Sequence, residues 1–252
     1  MKRSIPYQIE PLKALQEFTS ARIAIGRVGT SIPVKQLLEF KLAHAHARDA
    51  VYSELDINNL TTVLKVFNLP VLQLQSKVSY RRQYLQRPDM GRRLNDASVI
   101  SVNDHCTETA VAIIIADGLS ATAVNENAFG LLQILIPQLI AADFKLAPIS
   151  LVEQGRVAIG DDIGYGLKAK LSLVLIGERP GLSSPDSLGA YLTYNPKPNL
   201  TDEMRNCVSN IRPDGLSYLK AANKIFYLIS EAFKRKLSGV DLKDNAGLLG
   251  DD

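Results

Sequence analysis

Apolar positions along the chain change their period near residue 95. Before it they recur at helical spacing: Val34, Leu37, Leu38, Leu42 and Ala45 form one stripe, with lysine and arginine among the positions between them. Thr30 or Ser31 stands where a side chain can cap that helix, and Pro33 suits a first turn, where its missing N–H costs nothing. Leu60 to Val66 is a second apolar stretch. The basic run up to Arg93 reads as further helices and loops, closed by the turn Arg87-Pro88-Asp89. These signals predict a smaller helical N-terminal domain over residues 1–95, with its boundary near Leu94 to Asp96.

From Ser98 onward strand-like and helical patterns alternate. Val111 to Ile115 is a β-branched run stopped by Asp117-Gly118, Thr122 to Ala142 is helical, and Ile149 to Val152 is strand-like again. Val157 to Lys168 can form a helix despite its glycines, and Leu171 to Ile176 is the next strand. A β-α-β-α-β order implies parallel strands joined by right-handed crossovers, so residues 96–252 are expected to form an α/β, Rossmann-like parallel sheet domain. Leu219, Ala222, Phe226, Ile229 and Phe233 place one apolar stripe on a final helix that Ser217 can cap. The Gly- and Asp-rich end after Lys243 reads as a mobile tail. No internal repeat is visible.

Composition narrows the class of protein. With 252 residues, 46% of them hydrophobic and 22% charged, the chain has the balance of an ordinary globular protein. Its 29 basic and 26 acidic residues are interspersed, and a net charge of +3 gives no reason to expect a nucleic-acid partner. Arg81, Arg82, Arg87, Arg92 and Arg93 do cluster, either to grip an acidic partner or a phosphate or to lie salt-bridged on the surface. Two cysteines, Cys106 and Cys207, make no disulfide framework and fit a reducing cytoplasm. The start Met1-Lys-Arg-Ser-Ile-Pro lacks the apolar core of a secretory signal. The longest apolar stretch, Leu131 to Ala142, is broken by Gln133, Pro137 and Gln138, short of the roughly 20 residues that span a bilayer. No membrane association is expected.

Several familiar chemistries fail on spacing. His44 and His46 are two residues apart, which on a helix turns their side chains about 200° away from each other and prevents chelation. Gly155 to Gly160 opens like a phosphate-binding loop, yet Asp161 and Asp162 stand where Lys and Ser or Thr are required, and two carboxylates repel phosphate. Gly160, Gly164 and Gly166 do not reproduce a dinucleotide fingerprint and read as tight helix packing or close approach to a bulky ligand. Ser183-Ser184 lacks the surroundings of a nucleophilic serine. Asp117-Gly118, at a strand's carboxyl end, either contributes to a ligand crevice or only makes a turn.

The most informative stretch is Ile176-Gly-Glu-Arg-Pro-Gly-Leu-Ser-Ser-Pro-Asp-Ser-Leu-Gly-Ala-Tyr-Leu-Thr-Tyr194, followed by Arg205-Asn-Cys-Val-Ser-Asn-Ile-Arg-Pro-Asp-Gly-Leu-Ser-Tyr218. Both closely resemble the small (light) subunit of ethanolamine ammonia-lyase. Thr19-Ser-Ala-Arg-Ile-Ala-Ile-Gly-Arg27, Phe40-Lys-Leu-Ala-His-Ala-His-Ala-Arg-Asp-Ala-Val51, Arg87-Pro-Asp-Met-Gly-Arg-Arg-Leu94 and Ala116-Asp-Gly-Leu-Ser-Ala-Thr-Ala-Val124 resemble the same family in the same order. The similarity reaches from Leu15 to Lys243, and several ordered blocks are more specific than one short motif. Many family members carry a longer amphipathic N-terminal extension implicated in packing into a bacterial microcompartment. Here only about fifteen residues precede the first block, which puts encapsulation in doubt.

The resemblance implies an adenosylcobalamin (coenzyme B12) enzyme that converts ethanolamine to acetaldehyde and ammonia. It implies a hetero-oligomer of several large–small pairs in which the large subunit holds most of the substrate. It further implies cofactor contacts at Val157, Glu178 and Cys207, within Gly155-Arg156-Val157, Gly177-Glu178-Arg179 and Arg205-Asn206-Cys207, and neither a catalytic residue nor a cobalt ligand from this chain. No histidine stands in an Asp-x-His-x-x-Gly context, so the cobalt is expected to keep the cofactor's own base. Ligands of open parallel sheets sit beyond the strands' carboxyl ends. Val157 is expected at the start of a helix, Glu178 just past a strand, and Cys207 in a long loop after Ala190 to Tyr194. A carboxylate can accept amide hydrogens from the corrin edge, a main-chain N–H can donate, and a small thiol can lie against the ring. The plainer readings are an internal ion pair for Glu178, a buried structural thiol for Cys207 and core packing for Val157. The rival reading of the whole chain is a non-catalytic nucleotide-binding or microcompartment adaptor module, which the fold alone would not separate.

Overall fold

A computed structural model describes residues 7–8, 12–19 and 21–243 of the chain. The expected tail beyond Lys243 and the first six residues lie outside the described residues. A two-residue antiparallel ladder, β1 (Tyr7–Gln8) with β2 (Arg27–Val28), precedes helices α1 (Val34–Tyr52) and α2 (Ile57–Leu64). Strand β3 (Val71–Gln75) and helices α3 (Arg81–Gln86) and α4 (Asp96–Asp104) follow. The remainder runs β4 (Thr109–Ala116), α5 (Ala121–Ala141), β5 (Ile149–Glu153), α6 (Ile159–Gly166), β6 (Ala169–Gly177), β7 (Leu188–Tyr194), β8 (Asn206–Ile211) and α7 (Tyr218–Arg235).

One six-stranded sheet of order β3-β5-β4-β6-β7-β8 organises the molecule. Its first four strands are parallel, the α/β arrangement that the alternation predicts. Beyond β6 the sheet differs from a purely parallel one: β7 and β8 continue it antiparallel, so Cys207 sits on a strand rather than in a loop. The edge strand β3 also comes from the stretch read as helical, where Val71-Leu-Gln-Leu-Gln alternates with Leu72 and Leu74 inward.

Strand alternation explains the two cores. On β4, Val111, Ile113 and Ile115 face the layer of α2, α5 and α7, while Ala112, Ile114 and Ala116 face α4 and α6. Both faces are covered, which is why β4 is apolar without interruption. Gly160, Gly164 and Gly166 serve tight packing, against Val174, Pro196 and Val102 respectively.

Helix ends depart from expectation in detail. Neither Thr30 nor Ser31 caps α1; Ser31 pairs with Val28, and Pro33 occupies the cap position without a side-chain bond. Ser217 does stand at the N-cap of α7, but its side chain makes no capping bond. Ser120, by contrast, caps α5 by accepting from the Ala123 N–H at 3.2 Å.

Candidate functional site

The connection after β4 enters α5 on one face of the sheet, and the connection after the adjacent β5 enters α6 on the other. A crevice therefore opens at the carboxyl ends of these strands, where such sheets take ligands. The β4 and β6 loops touch there. Gly118 adopts φ +60°, the Leu119 N–H donates to the Gly177 carbonyl at 2.9 Å, and a Cβ on Gly177 would overlap the Ser120 carbonyl.

Two adjoining cavities line this crevice. One of about 410 Å³ is walled by Tyr84, Gly118, Leu119, Ile176, Glu178 and Arg179. The second, of about 350 Å³, is walled by Pro88, Arg92, Asp202, Arg205 and Cys207. Arg156, Val157 and Tyr191 belong to both. Val157, Glu178 and Cys207 thus come together along one rim.

Each of the three is held differently. Val157 lies in the turn before α6, two residues ahead of the helix rather than at its first residue. Among the described residues its N–H donates to no protein group. Glu178 follows β6 directly, and its Oε2 accepts from the Ser187 hydroxyl at 2.5 Å and the Asn210 N–H at 3.2 Å. Its Oε1 has no hydrogen bond among the described residues, and Gly189 leaves room beside it. No ion pair with Arg179 or another loop arginine forms among the described residues. Cys207 is exposed, not a buried structural thiol, and pairs across the ladder with Tyr191. The surrounding chain still removes enough water to push the Cys207 thiol up, against a lowering hydrogen bond with Tyr191 and with a further rise from Glu178. Burial raises the Tyr191 hydroxyl as well, followed by the influence of Cys207.

Polar residues with no role of their own in the sequence reading build or brace the walls. Arg156 lies 4.0 Å over the Tyr84 ring and donates to the Tyr84 carbonyl at 2.9 Å, while its Nε is buried without a partner. Arg205 and Asp161 form a bidentate buried pair at 2.7 and 2.8 Å, and Arg205 also bonds Thr193. Burial is the largest single influence on Arg205 and works against its charge, yet the bonds and charges of Asp161 and Asp202 together raise its pKa; on Asp161 burial dominates and raises the carboxyl. Acidic residues inside the apolar α6 were the available signal, because a buried carboxylate requires a cation. The basic cluster is largely consumed internally: Arg81 lies against Asp117, Arg87 against Asp89, Arg93 against Asp162 and Arg92 near Asp202.

Chemically, the rim offers an unused main-chain donor, an unused carboxylate oxygen, an arginine over a tyrosine and apolar surface from Ile176, Leu119 and Tyr191. That set can both accept and donate hydrogen bonds at a ligand's polar edge and pack against an apolar face. Among the described residues no histidine lines either cavity, and no group of three or more His, Cys, Asp or Glu could hold a metal ion. Nor is any helix among them long and apolar enough to cross a membrane.

The family model described as ethanolamine ammonia-lyase light chain (EutC) matches residues 9–243. The chain is 50% identical over 250 residues to the ethanolamine ammonia-lyase small subunit of Pseudomonas putida (strain W619), covering 98% of this chain and 92% of that one. It is 51% identical over 240 residues to the small subunit of Pseudomonas fluorescens (strain SBW25), covering 94% and 87%. The small subunit of Azotobacter vinelandii (strain DJ / ATCC BAA-1303) is 51% identical over 245 residues, covering 96% and 91%.

Proposed function

The chain belongs to the ethanolamine ammonia-lyase light-chain family, and on that premise we propose that it forms one side of an adenosylcobalamin site whose other side is the large subunit. The complex would convert ethanolamine to acetaldehyde and ammonia. The observation that carries this reading is the convergence of Val157, Glu178 and Cys207 on one rim at the carboxyl ends of β5 and β6 and across β8.

The residues present fit the group. The free Val157 N–H can donate to an amide carbonyl of the corrin edge, and Glu178 Oε1 can accept an amide hydrogen while Oε2 stays anchored to Ser187 and Asn210. Tyr191 and Cys207 lie side by side and offer a shallow surface for the ring. When bound, adenosylcobalamin supplies the radical chemistry; this chain orients it and excludes water from one side. Cavities of about 410 and 350 Å³ are open-sided and enclose only part of so large a ligand, which favours a second wall from a partner.

Pairing is supported by α1, on which Ala50 is the one buried residue among nineteen. Its Val34, Leu37, Leu38, Phe40 and Leu42 are exposed, and a groove beside it reaches Leu182 and Ser183 in the loop that begins at Glu178. An exposed apolar helix beside the loop that leaves the crevice at Glu178 is what a small subunit would turn toward its large partner.

The test is reconstitution. Chain, large subunit and adenosylcobalamin together should release ammonia from ethanolamine, and either chain alone should not. Glu178→Ala should raise the cofactor KM by about tenfold or more, the loss of one hydrogen bond to a charged group, with less effect on kcat. An unchanged cofactor requirement refutes the assignment of Glu178.

A further inference from the structure

Asp117 is in neither cavity wall, yet the loops of the crevice are fastened to it. It follows β4 directly and is 2% exposed. Its Oδ1 accepts from the N–H groups of Gly118 at 2.9 Å and Gly155 at 3.0 Å, and its Oδ2 accepts from the Gln154 N–H at 2.9 Å. Arg81 Nη1 lies 3.6 Å from Oδ2 and donates to the Gly118 carbonyl at 2.9 Å. Tyr84, one turn along α3, donates its hydroxyl to the Gly155 carbonyl at 3.1 Å. Of the segments tied in this way, Gly118 and Tyr84 line the first cavity, and Gly155 immediately precedes Arg156 and Val157, which line both. β4 and β5 are neighbours whose helices leave on opposite faces, and the last main-chain bond between them runs from the Asp117 N–H to the Val152 carbonyl at 3.4 Å. Beyond it the Asp117 carboxylate bonds both loops directly, while Arg81 and Tyr84 tie one loop each to α3.

We propose that Asp117 is a positioning residue for the cofactor: its ionised carboxylate fixes Gly118 and the Gln154 to Val157 turn at the separation the corrin edge requires, without touching the ligand. This rests on the cobalamin reading above. Three main-chain donors and Arg81 are matched only by an acceptor-only side chain; a neutral carboxyl or an amide turns one acceptor into a donor that faces an N–H. The charged and titratable groups facing Asp117 are Arg81 and Tyr84 from α3, with Arg156 lying over the Tyr84 ring. Burial pushes the Asp117 carboxyl up to about 6, against Arg81 and the three N–H donors, which pull it down. The sign follows: the competent, ionised form is full at about pH 8 and falls to about a tenth at about pH 5, so apparent cofactor affinity drops by about tenfold as the pH falls.

Direct binding of adenosylcobalamin to the reconstituted complex, measured by equilibrium dialysis between those pH values, is the test. Wild type should lose about tenfold in affinity toward low pH. Asp117→Asn should bind about tenfold or more weakly at high pH, lose the pH slope and keep kcat at saturating cofactor. Asp117→Asn binding like wild type, or keeping its slope, overturns the proposal. Should that variant fail to assemble, Arg81 decides: Arg81→Gln removes the nearest cation and must move the midpoint upward, whereas Arg81→Lys must leave it close to wild type. A midpoint indifferent to Arg81→Gln overturns the proposal equally. A wild-type complex that binds no cobalamin at any pH sinks the cobalamin reading and this one with it; binding that ignores Asp117 sinks only this one.

Discussion

Replacing Asp161 with alanine isolates the wall of the second cavity. Arg205 and Asp161 are joined by bonds of 2.7 and 2.8 Å, with side chains 3% and 2% exposed. Removing one member of a buried pair costs about 3–5 kcal/mol, because the other charge is left in a poor dielectric. Arg205 would keep Thr193, the Leu200 carbonyl and Asp202, the last at 3.3 Å on a largely exposed side chain, so the lower end applies. About 3 kcal/mol corresponds to a fall in Tm of roughly 6–12 °C for a chain of this size. Thermal unfolding followed by circular dichroism at fixed protein concentration reads it. Pairing Asp161→Leu with Arg205→Met removes both charges and should recover most of the loss, since apolar replacements of buried pairs are often neutral. Added salt should change little, because buried charges are weakly screened. A single-variant shift under about 2 °C, or a double variant as unstable as the single, refutes the argument that Asp161 holds a buried charge in place.

Gly177→Ala places a Cβ against main-chain atoms of Asp117 and Ser120, which cannot swing aside as a side chain would, so about 3 kcal/mol or more of stability should be lost along with cofactor affinity. A variant with wild-type melting would contradict that close contact. Burial raises the Cys207 thiol, and Tyr191 lowers it through a hydrogen bond, so Tyr191→Phe should slow iodoacetamide alkylation of Cys207 at mildly alkaline pH; faster labelling contradicts it. Bound adenosylcobalamin should protect Cys207 and spare Cys106, read by peptide mass spectrometry. Leu38→Glu with Leu42→Glu, both on the exposed face of α1, should leave the melting temperature of the isolated chain within about 1 °C and weaken assembly with the large subunit on size-exclusion chromatography. Undiminished assembly would move the pairing surface elsewhere.

What could be read in the chain divides along physical lines. β4, β5 and β6 were legible as apolar runs because both of their faces are covered, and α5 and α7 because each buries a full face in apolar residues. β8 was not, because Asn206-Cys-Val-Ser-Asn-Ile buries only Val208 and Ile211 and a sheet-edge strand keeps polar side chains. β7 was hidden by the glycine- and proline-rich loop before it, and β3 by its five-residue length beside helical stretches. Asp117 was seen at a strand end, but its two bonds to the loop after β5 come from residues 37 and 38 positions away. Arg205 meets Asp161 across 44 positions, a distance at which no local pattern operates.

The rim shows why the missed strands matter. The rule that ligands gather beyond the carboxyl ends of parallel strands accounts for Val157 and Glu178, which follow β5 and β6. It does not account for Cys207. That residue reaches the same place because the chain turns back after β6, runs down β7 and returns along β8 in a register that sets Cys207 opposite Tyr191. Had the sheet continued in parallel, β8 would have needed a further crossover and Cys207 would have no reason to lie beside Val157. The antiparallel extension is therefore the part of the fold that turns a two-loop crevice into a three-sided rim.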